Sequence, residues 1–194
     1  MYDSRIHHRR SIRLRGYDYS SPGRYFVTIC ANDHLHLFGK LLEGAMHLND
    51  VGQMVRSVWT EMPNRYSNCQ ADAFVIMPNH VHGVIVIDLS ADRGPAREPA
   101  QARGQARGPA PTTLSLGDLV HRFKSLTTAR YRQGTRTQGW PPLNGRLWQR
   151  NYYEHIVQND DELQKIREYI ATNPIRWETD WVRRRKRDAT NCRN

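Results

Sequence analysis

The sequence predicts an α+β fold in which an antiparallel β-sheet carries helices on one face. Two patterns support this prediction. Short apolar runs rich in β-branched residues alternate with segments of helical apolar spacing, and the turn pair Pro78-Asn79 separates two adjacent apolar runs. The chain has 194 residues, enough for one domain with a core of its own. Because only 38% of the residues are hydrophobic, part of the chain is expected to lie outside that core.

The first half of the chain contains signals for a strand, a hairpin and a helix. Residues 24–31, RYFVTICA, alternate and are rich in β-branched residues, which predicts a strand. Gly39 and Gly44 lie between short apolar pieces and indicate hairpin strands. Residues 50–62 carry apolar side chains at helical spacing, and Asp50 is a suitable N-cap.

The second half begins with the clearest β signal. The segment ADAFVIMPNHVHGVIVID predicts a hairpin of strands 73–77 and 80–87. Residues 115–133 return to helical spacing, and Ser115 is a suitable cap. Residues 145–157 indicate a short strand leading into a turn.

A last helix is expected to begin at Asp160 or Asp161 and to run to about Thr172. It should end at Asn173-Pro174, because proline cannot continue a helix and disfavours helical geometry in the residue before it. The complete order of elements then corresponds to a ferredoxin-like βαββαβ sheet with an additional C-terminal helix.

Three regions are expected to differ in organisation. Residues 1–23 form a basic N-terminal arm, residues 24–177 the folded domain, and residues 178–194 a basic tail. The tail contains five consecutive basic residues and is expected to be disordered. Residues 93–112 carry imperfect Ala-Arg-Gly repeats with almost no apolar mass, which predicts a flexible linker inserted into the domain.

The composition indicates a polyanionic partner. Lys and Arg number 29 against 19 Asp and Glu, so the net charge is +10, which favours nucleic acid. A membrane surface would require a basic amphipathic helix or a lipidation motif, and the sequence shows neither. No apolar run approaches the roughly 20 residues that span a bilayer. The three scattered cysteines form no CxxC pair, which argues against a cysteine-based zinc site and suits a cytoplasmic protein.

The first candidates for chemistry are His80 and His82. They lie two residues apart in a predicted strand, so both rings project from the same face. Neutral imidazoles in this arrangement can hold one divalent metal ion. The alternative is a pair of histidines satisfied by hydrogen bonds, which the pattern alone leaves open. A His-x-His-x-His phosphoesterase motif is not supported, because residue 84 is valine.

The last predicted helix supplies further candidates. Leu163, Ile166 and Ile170 form its apolar stripe, and Tyr169 and Asn173 are neighbours at the edge of that stripe. An amide oxygen suits a hard cation. A tyrosine hydroxyl is a weak nucleophile that needs a base or a metal-polarised phosphate. A tyrosine at the edge of the core, followed by an asparagine cap, is the alternative.

Together these segments resemble a known family. MPNHVHGVIVI, LWQRNYYEHIV and YIATNPIRW resemble the REP-associated tyrosine transposases, which belong with the IS200-like transposases to the HUH single-tyrosine superfamily. The segment RRSIRLRGYDYSSPGRYFVTICA also resembles the opening of that family. The resemblance spans roughly residues 9–88 and 114–177. The His-hydrophobic-His pair alone is weak, but its combination in order with W-Q-R and Y-I-x-x-N-P is specific.

This resemblance implies a metal-dependent transposase that cleaves and rejoins single-stranded DNA through a 5′-phosphotyrosine, at short palindromic hairpins. Tyr169 is implied as the nucleophile, which makes the C-terminal helix the catalytic helix. His80 and His82 are implied as ligands of Mg²⁺ or Mn²⁺. Asn173 is implied as the third ligand, where related transposases have glutamine. A monomer or a homodimer is expected, with the Tyr169 helix serving its own subunit or the partner's.

Several other residues are expected to contact DNA. The arginines of the arm are suited to phosphates, and the LWQRNYYEHIV segment to bases or to the backbone. Tyr152 and Tyr153 also compete as nucleophiles, although stacking or core packing suits them better. His155 is a candidate for supporting a ligand or contacting DNA. The expected contacts are Arg9, Arg10, Arg13, Arg15, Trp148, Gln149, Arg150, Tyr152, Tyr153 and His155.

Two other functions remain open. One is a nucleic-acid-binding protein without chemistry. Ferredoxin-like RNA-binding modules present stacked aromatic residues on the sheet, whereas this sheet presents two histidines. The other is a metal-dependent phosphoesterase that uses water in place of Tyr169.

Overall fold

The computed structural model describes residues 14, 16–88 and 113–191, with side chains as far as Trp177. The arginines expected to contact DNA in the arm and the 93–112 linker lie outside the described residues. A 3-10 turn covers Asn32–His34. The other elements, in chain order, are β1 (Gly23–Cys30), β2 (Gly39–Leu42), β3 (Ala45–Leu48), α1 (Asp50–Arg65), β4 (Cys69–Met77), β5 (His80–Ile87), α2 (Leu116–Thr137), β6 (Tyr153–Val157) and α3 (Asp160–Asn191).

Four strands form the main sheet in the order β4-β5-β1-β6, and every neighbouring pair is antiparallel. Strands β2 and β3 form a separate two-stranded hairpin. Without that hairpin, the order of strands and helices is the ferredoxin-like βαββαβ arrangement. The predicted α+β fold with an antiparallel sheet is therefore confirmed.

The two faces of the sheet bury different clusters. Tyr25 and Val27 of β1 and Val81 and Ile85 of β5 face the larger core under α1 and α2. Alternate residues of the same strands face α3, where Val84 packs with other apolar side chains of a smaller core. Helices α1 and α2 thus cover one face, as predicted, and α3 covers the other. Strand β5 has an apolar partner on both faces. Apart from His80 and His82 near its start, it is therefore almost entirely apolar.

The start of α3 differs slightly from the prediction. Asn159 caps this helix: its side-chain oxygen accepts a hydrogen bond from the backbone N–H of Glu162 at 2.8 Å. The expected caps, Asp160 and Asp161, instead lie in the first turn, where their negative charge suits the helix dipole.

The predicted end of α3 at Asn173-Pro174 is wrong, because the helix continues to Asn191. This also corrects the expectation of a disordered tail after residue 177 as far as the backbone is described. Proline removes one helical hydrogen bond, a local cost that packing beyond it can offset. Trp177 lies in the turn after Pro174 and packs its ring against His80, with 5.0 Å between ring centroids.

The segment before α3 has the opposite order to the one predicted. Residues 145–152 form an irregular loop, and the strand is the last part of the segment, Tyr153–Val157. A β-bridge between Ala31 and Trp148 joins this loop to the residue after β1, and Leu147 and Trp148 pack in the larger core. Lys124 of α2 holds this loop by donating to the backbone carbonyls of Gln149 at 2.9 Å and Asn151 at 3.1 Å.

Candidate active site

The two histidines of β5 converge on one point. His80 and His82 both lie on the α3 face of the sheet, and each is only 6% exposed. Their Nε2 atoms are 3.0 Å apart. Alternation along the strand places both rings on this face, and the twist of the strand brings the rings into an edge-on contact, with centroids 4.5 Å apart. The predicted same-face arrangement is what the structure shows.

The Nδ1 atoms of both rings have oxygen partners. Asn79 Oδ1 is 2.7 Å from Nδ1 of His80, and the amide of Asn79 donates to the backbone oxygen of His34, which fixes which way the amide points. Its oxygen therefore accepts a hydrogen bond from Nδ1–H of His80. Thr28 Oγ1 is 2.8 Å from Nδ1 of His82. When the hydroxyl of Thr28 accepts from Nδ1–H, both Nε2 lone pairs are free to bind a cation between them.

Burial keeps these imidazoles neutral. Burial, followed by the charges that His82, His34 and His36 would carry, lowers the pKa of His80 to about 3. Burial lowers the pKa of His82 to about 4. Since a neutral imidazole is the form that binds metal, both side chains are in the ligating form at neutral pH.

Helix α3 brings a tyrosine onto the pair. The hydroxyl oxygen of Tyr169 is 3.4 Å from Nε2 of His82. The two rings are in edge contact, with centroids 5.3 Å apart. Phe26 lies beneath both: it stacks on His82 and meets Tyr169 edge to face. Tyr169 is therefore held by aromatic packing on its own chain's sheet, with its hydroxyl beside the histidines.

Asn173 lies one helical turn beyond Tyr169 and one turn before Trp177. Since Tyr169 contacts His82 and Trp177 contacts His80, Asn173 lies in the turn between those two contacts. Asn173 is 6% exposed, and its Oδ1 atom has no hydrogen-bond partner in the described part of the chain. A buried amide oxygen without a partner costs free energy, which a cation bound to that oxygen would offset.

These donors fit a divalent cation. Two imidazole nitrogens and one amide oxygen form a mixed donor set that suits Mn²⁺ better than Mg²⁺, which prefers oxygen. The described residues include no cluster of three or more histidine, cysteine or acidic side chains arranged for a metal. A metal at this position would accordingly rely on the asparagine or on solvent for its remaining ligands.

Polar side-chain contacts attach α3 to the sheet around this site. Arg167 forms a two-pronged pair with Asp72 of β4, with nitrogen–oxygen distances of 3.0 and 2.6 Å. His155 of β6 pairs with Glu162 at 2.7 Å. The hydrogen bond from Arg167 is the largest of the effects that lower the pKa of Asp72. These contacts surround the apolar patch of Leu163 and Ile170 and set the position of Tyr169 along the sheet.

The structure corrects one expected DNA contact. Trp148 is 4% exposed and packs between Phe38 and Phe123 in the larger core, while its indole N–H donates to Thr127 at 2.7 Å. It is a core residue and cannot stack on a base. A tryptophan in a W-Q-R segment can be either buried or exposed. Only the tertiary structure shows which of these holds for Trp148.

The other expected contacts in the segment remain accessible in part. Gln149 lies beside His34, with 3.1 Å between side-chain nitrogens, and Arg150 is exposed. Tyr153 is 51% exposed and lies against Phe26 on the α3 face. The ammonium nitrogen of Lys124 lies over the ring of Tyr152, 5.3 Å from the ring centroid. The same tyrosine is partly buried against the larger core. The paired side chain of His155, described above, faces α3.

Sequence patterns alone did not reveal Thr28, Asn79 and Trp177. Thr28 is opposite His82 in the β1–β5 register, a pairing that the sequence of either strand does not specify. Asn79 was interpreted as a turn residue, and it is one, but its side chain also holds His80. Trp177 follows a proline that was expected to end the helix. The sequence signal that could have identified Asn79 is its position directly before His80.

Comparison with known proteins places the chain in a family. A profile of the family described as "Transposase IS200 like" matches residues 109–173. The chain belongs to the IS200-like transposase family. The matched segment of this transposase includes Tyr169 and Asn173 but not His80 or His82. An uncharacterised protein of Haemophilus influenzae is 41% identical over 182 residues, which cover 92% of this chain and 95% of that protein. The family resemblance of the sequence is confirmed.

A solved structure shares the fold of this IS200-like transposase. A REP-associated tyrosine transposase bound to a REP hairpin matches with a TM-score of 0.52 and 18% identity, covering 84% of this chain and 73% of that one. A proposed transposase from Deinococcus radiodurans matches with a TM-score of 0.45 and 15% identity, covering 82% and 95% of the two chains. The first of these matches supports the fold. Among the described residues, no helix has the length and apolar character needed to cross a bilayer.

Proposed function

We propose that this transposase cleaves and rejoins single-stranded DNA through a covalent 5′-phosphotyrosine at Tyr169. The observation that supports this best is the 3.4 Å distance between the Tyr169 hydroxyl oxygen and Nε2 of His82, beside a second imidazole nitrogen that converges on the same point. A tyrosine hydroxyl next to two nitrogens that could hold a metal ion is an arrangement that suits phosphoryl transfer to that tyrosine.

His80 and His82 would hold a divalent cation, with Asn173 as the third ligand. When bound there, the cation supplies positive charge that stabilises the scissile phosphate. Hydrogen bonds from the Nδ1–H groups of the histidines to Thr28 and Asn79 orient the imidazoles, and the neutral state that burial imposes keeps the Nε2 lone pairs available. These are the roles of the chain's own residues before any DNA bond is broken.

In the proposed cleavage step the hydroxyl oxygen of Tyr169 attacks phosphorus as its proton passes to solvent. The bond between phosphorus and the 3′ oxygen of the preceding nucleotide breaks, and that oxygen takes up a proton. The products are a tyrosine linked to the 5′ phosphate and a free 3′-hydroxyl. Since the phosphodiester is exchanged rather than hydrolysed, a 3′-hydroxyl can attack the adduct and rejoin the strand without another energy source.

We further propose a palindromic DNA hairpin as the substrate. The fold is shared with a REP-associated transposase whose structure contains a REP hairpin, and the net charge of +10 suits a polyanion. The basic arm of residues 1–23 and the basic segment 178–194 remain proposed as phosphate contacts, and the linker 93–112 as a spacer.

The decisive experiment replaces Tyr169 with phenylalanine and incubates the protein with end-labelled hairpin DNA and Mn²⁺. The wild-type protein should form a covalent adduct that survives denaturation, and Tyr169→Phe should form none. Tyr153→Phe, on the neighbouring strand and facing the same side, is the matched control and should retain the adduct. If Tyr169→Phe still cuts DNA without an adduct, the enzyme is a phosphoesterase that uses water. If the wild-type protein binds the hairpin without cutting it under any divalent metal, the protein is a binding module.

A further inference from the structure

A cavity of about 640 Å³ opens beside the histidine pair. Its walls come from the β2–β3 hairpin on one side and from Trp177 of α3 on the other. The ring of Trp177 contacts His80, and Pro78, which also lines the cavity, lies two residues before that histidine. The cavity therefore begins at the candidate active site and leads away from it along the hairpin.

The cavity has an apolar lining and carries the cationic side chain of Lys40. Leu41, Leu42 and Leu48 form its apolar lining together with Trp177. Leu42 is 53% exposed, although leucine is normally buried in a protein of this size. The side chains of Lys40, His36 and His47 lie at the same cavity and are exposed.

The hairpin wall is held rigidly. Gly39 begins β2 with a φ of +139°, and a Cβ atom there would lie 2.1 Å from the backbone oxygen of His47. A Cβ atom at Gly52 of α1 would lie 2.1 Å from the backbone oxygen of Phe38. The backbone nitrogens of Leu37 and Phe38 both donate to the carbonyl of Pro78, at 2.9 and 3.0 Å. The close approach at Gly39 holds β2 against β3, while the approach at Gly52 and the shared carbonyl of Pro78 place the hairpin against α1 and the residue after β4, so the cavity is formed before any ligand binds.

This combination suits a nucleotide. An aromatic ring and aliphatic side chains accept the flat face of a base, and the ammonium group of Lys40 can bind its phosphate. The volume falls within the roughly 300–1,000 Å³ of pockets that enclose small ligands. A second copy of this chain is a poorer occupant, because Lys40 would face the surface of a protein with a net charge of +10.

We propose that the cavity takes one unpaired base of the DNA strand, next to the phosphate that the active site cleaves, with Trp177 as its stacking surface. This inference rests on the proposed function, since it requires single-stranded DNA at the histidine pair. It assigns the β2–β3 hairpin, which the ferredoxin-like core does not need, a role in choosing the position of cleavage.

The test uses the full chain, Mn²⁺ and a series of hairpin oligonucleotides in which each nucleotide flanking the hairpin is replaced in turn by an abasic one. Fluorescence anisotropy gives the affinity for each. For the wild-type protein, one flanking position should be sensitive, with a loss of about ten-fold. Trp177→Ala and Leu42→Asp should bind intact DNA more weakly and show no additional loss at that position.

Trp177→Ala could disturb the fold, so Leu42→Asp serves as a second variant. Leu42 is exposed on the hairpin, and its substitution is expected to leave the fold intact. Leu35→Asp is the matched control, since Leu35 is 47% exposed and lies outside the cavity. The proposal is overturned if Leu42→Asp behaves like Leu35→Asp, or if both cavity variants keep the wild-type profile of positions. It is also overturned if Leu42→Asp changes the mass of the protein in solution while that profile stays, because the cavity is then an interface between copies.

A parallel assay separates this proposal from the proposed function. The covalent adduct at Tyr169 is measured with intact hairpin DNA. An adduct together with a flat abasic profile overturns the base pocket and leaves the transposase chemistry standing. The absence of both adduct and DNA binding overturns the proposed function and, with it, the base pocket.

Discussion

Thr28 Oγ1 lies 2.8 Å from Nδ1 of His82, across the pairing of β1 and β5. This contact orients the ring from behind while Nε2 faces Tyr169 and His80. A hydrogen bond of this kind fixes both the rotation of an imidazole and the nitrogen that carries its proton. The position of the histidine pair is therefore a property of two paired strands rather than of β5 alone.

Thr28→Val should weaken metal binding without removing a ligand. Valine has nearly the same shape and suits a strand, so the fold is expected to be retained. Losing the partner of a ligating histidine costs about ten-fold or more in metal affinity. Calorimetric titration with Mn²⁺ measures this, and Thr60→Val on the exposed face of α1 is the control. An unchanged Mn²⁺ affinity in Thr28→Val would show that Thr28 does not support the ligand.

Asn173→Leu should separate metal binding from fold stability. Without metal, the substitution removes a buried oxygen that has no partner among the described residues, so the free energy of unfolding should be unchanged or up to about 1 kcal/mol higher. With Mn²⁺, the rise in Tm seen for the wild-type protein should be much reduced. Differential scanning calorimetry with and without Mn²⁺ gives both quantities. A variant that is strongly destabilised yet keeps the full Mn²⁺ shift contradicts a ligand role for Asn173.

Mn²⁺ should support formation of the tyrosine adduct at lower concentration than Mg²⁺. Two of the three candidate donors are imidazole nitrogens, which Mg²⁺ binds weakly, and a bound Mg²⁺ keeps several waters. The measurement is adduct yield against metal concentration for each ion, after treatment with a chelator to remove bound metal. Equal half-maximal concentrations for the two ions would argue for a site made mainly of oxygen ligands.

Breaking the Arg167–Asp72 pair should reduce the adduct more than it reduces stability. The pair is partly exposed and contributes little to stability, but it sets where α3 lies and thus where Tyr169 points. Arg167→Asp should lower adduct yield several-fold, and the reversed pair Arg167→Asp with Asp72→Arg should restore most of it. Arg176→Asp, on the exposed side of the same helix, is the control for charge. Failure of the reversed pair to recover activity would remove the positioning role.

Glu61 should dominate one part of the acid dependence of stability. Arg130 and Arg65 lower its pKa from 4.5 to about 2, and the pair with Arg130 joins α1 to α2. Because the unfolded chain takes up the proton at higher pH, this contribution is present above about 4.5 and is lost as pH falls towards 2. Solvent screening limits it to about 1 kcal/mol. Urea unfolding of Glu61→Gln at several pH values should show a flatter loss in that window, whereas Glu43→Gln should follow the wild type.

The pattern of apolar residues predicted the order of elements because it is local. Strand β1 and helix α2 begin within one residue of the predicted positions, since β-branched alternation and the capping of Ser115 act over a few neighbouring residues. The same local rule failed at Pro174. There the helix continues because Trp177, a residue beyond the proline, packs on a histidine nearly a hundred positions away in the chain.

The spacing of His80 and His82 by itself determined that the two rings share a face, because side chains alternate along any strand. Tyr169 and Asn173 are four residues apart, so in a helix they share a face for the same kind of local reason. What only the tertiary structure decided is that these two faces meet, which depends on the register of β1 with β5 and on the pairing of α3 with β4 and β6. Such contacts join residues far apart in sequence, and their free energy depends on shape and partner geometry that no local pattern carries.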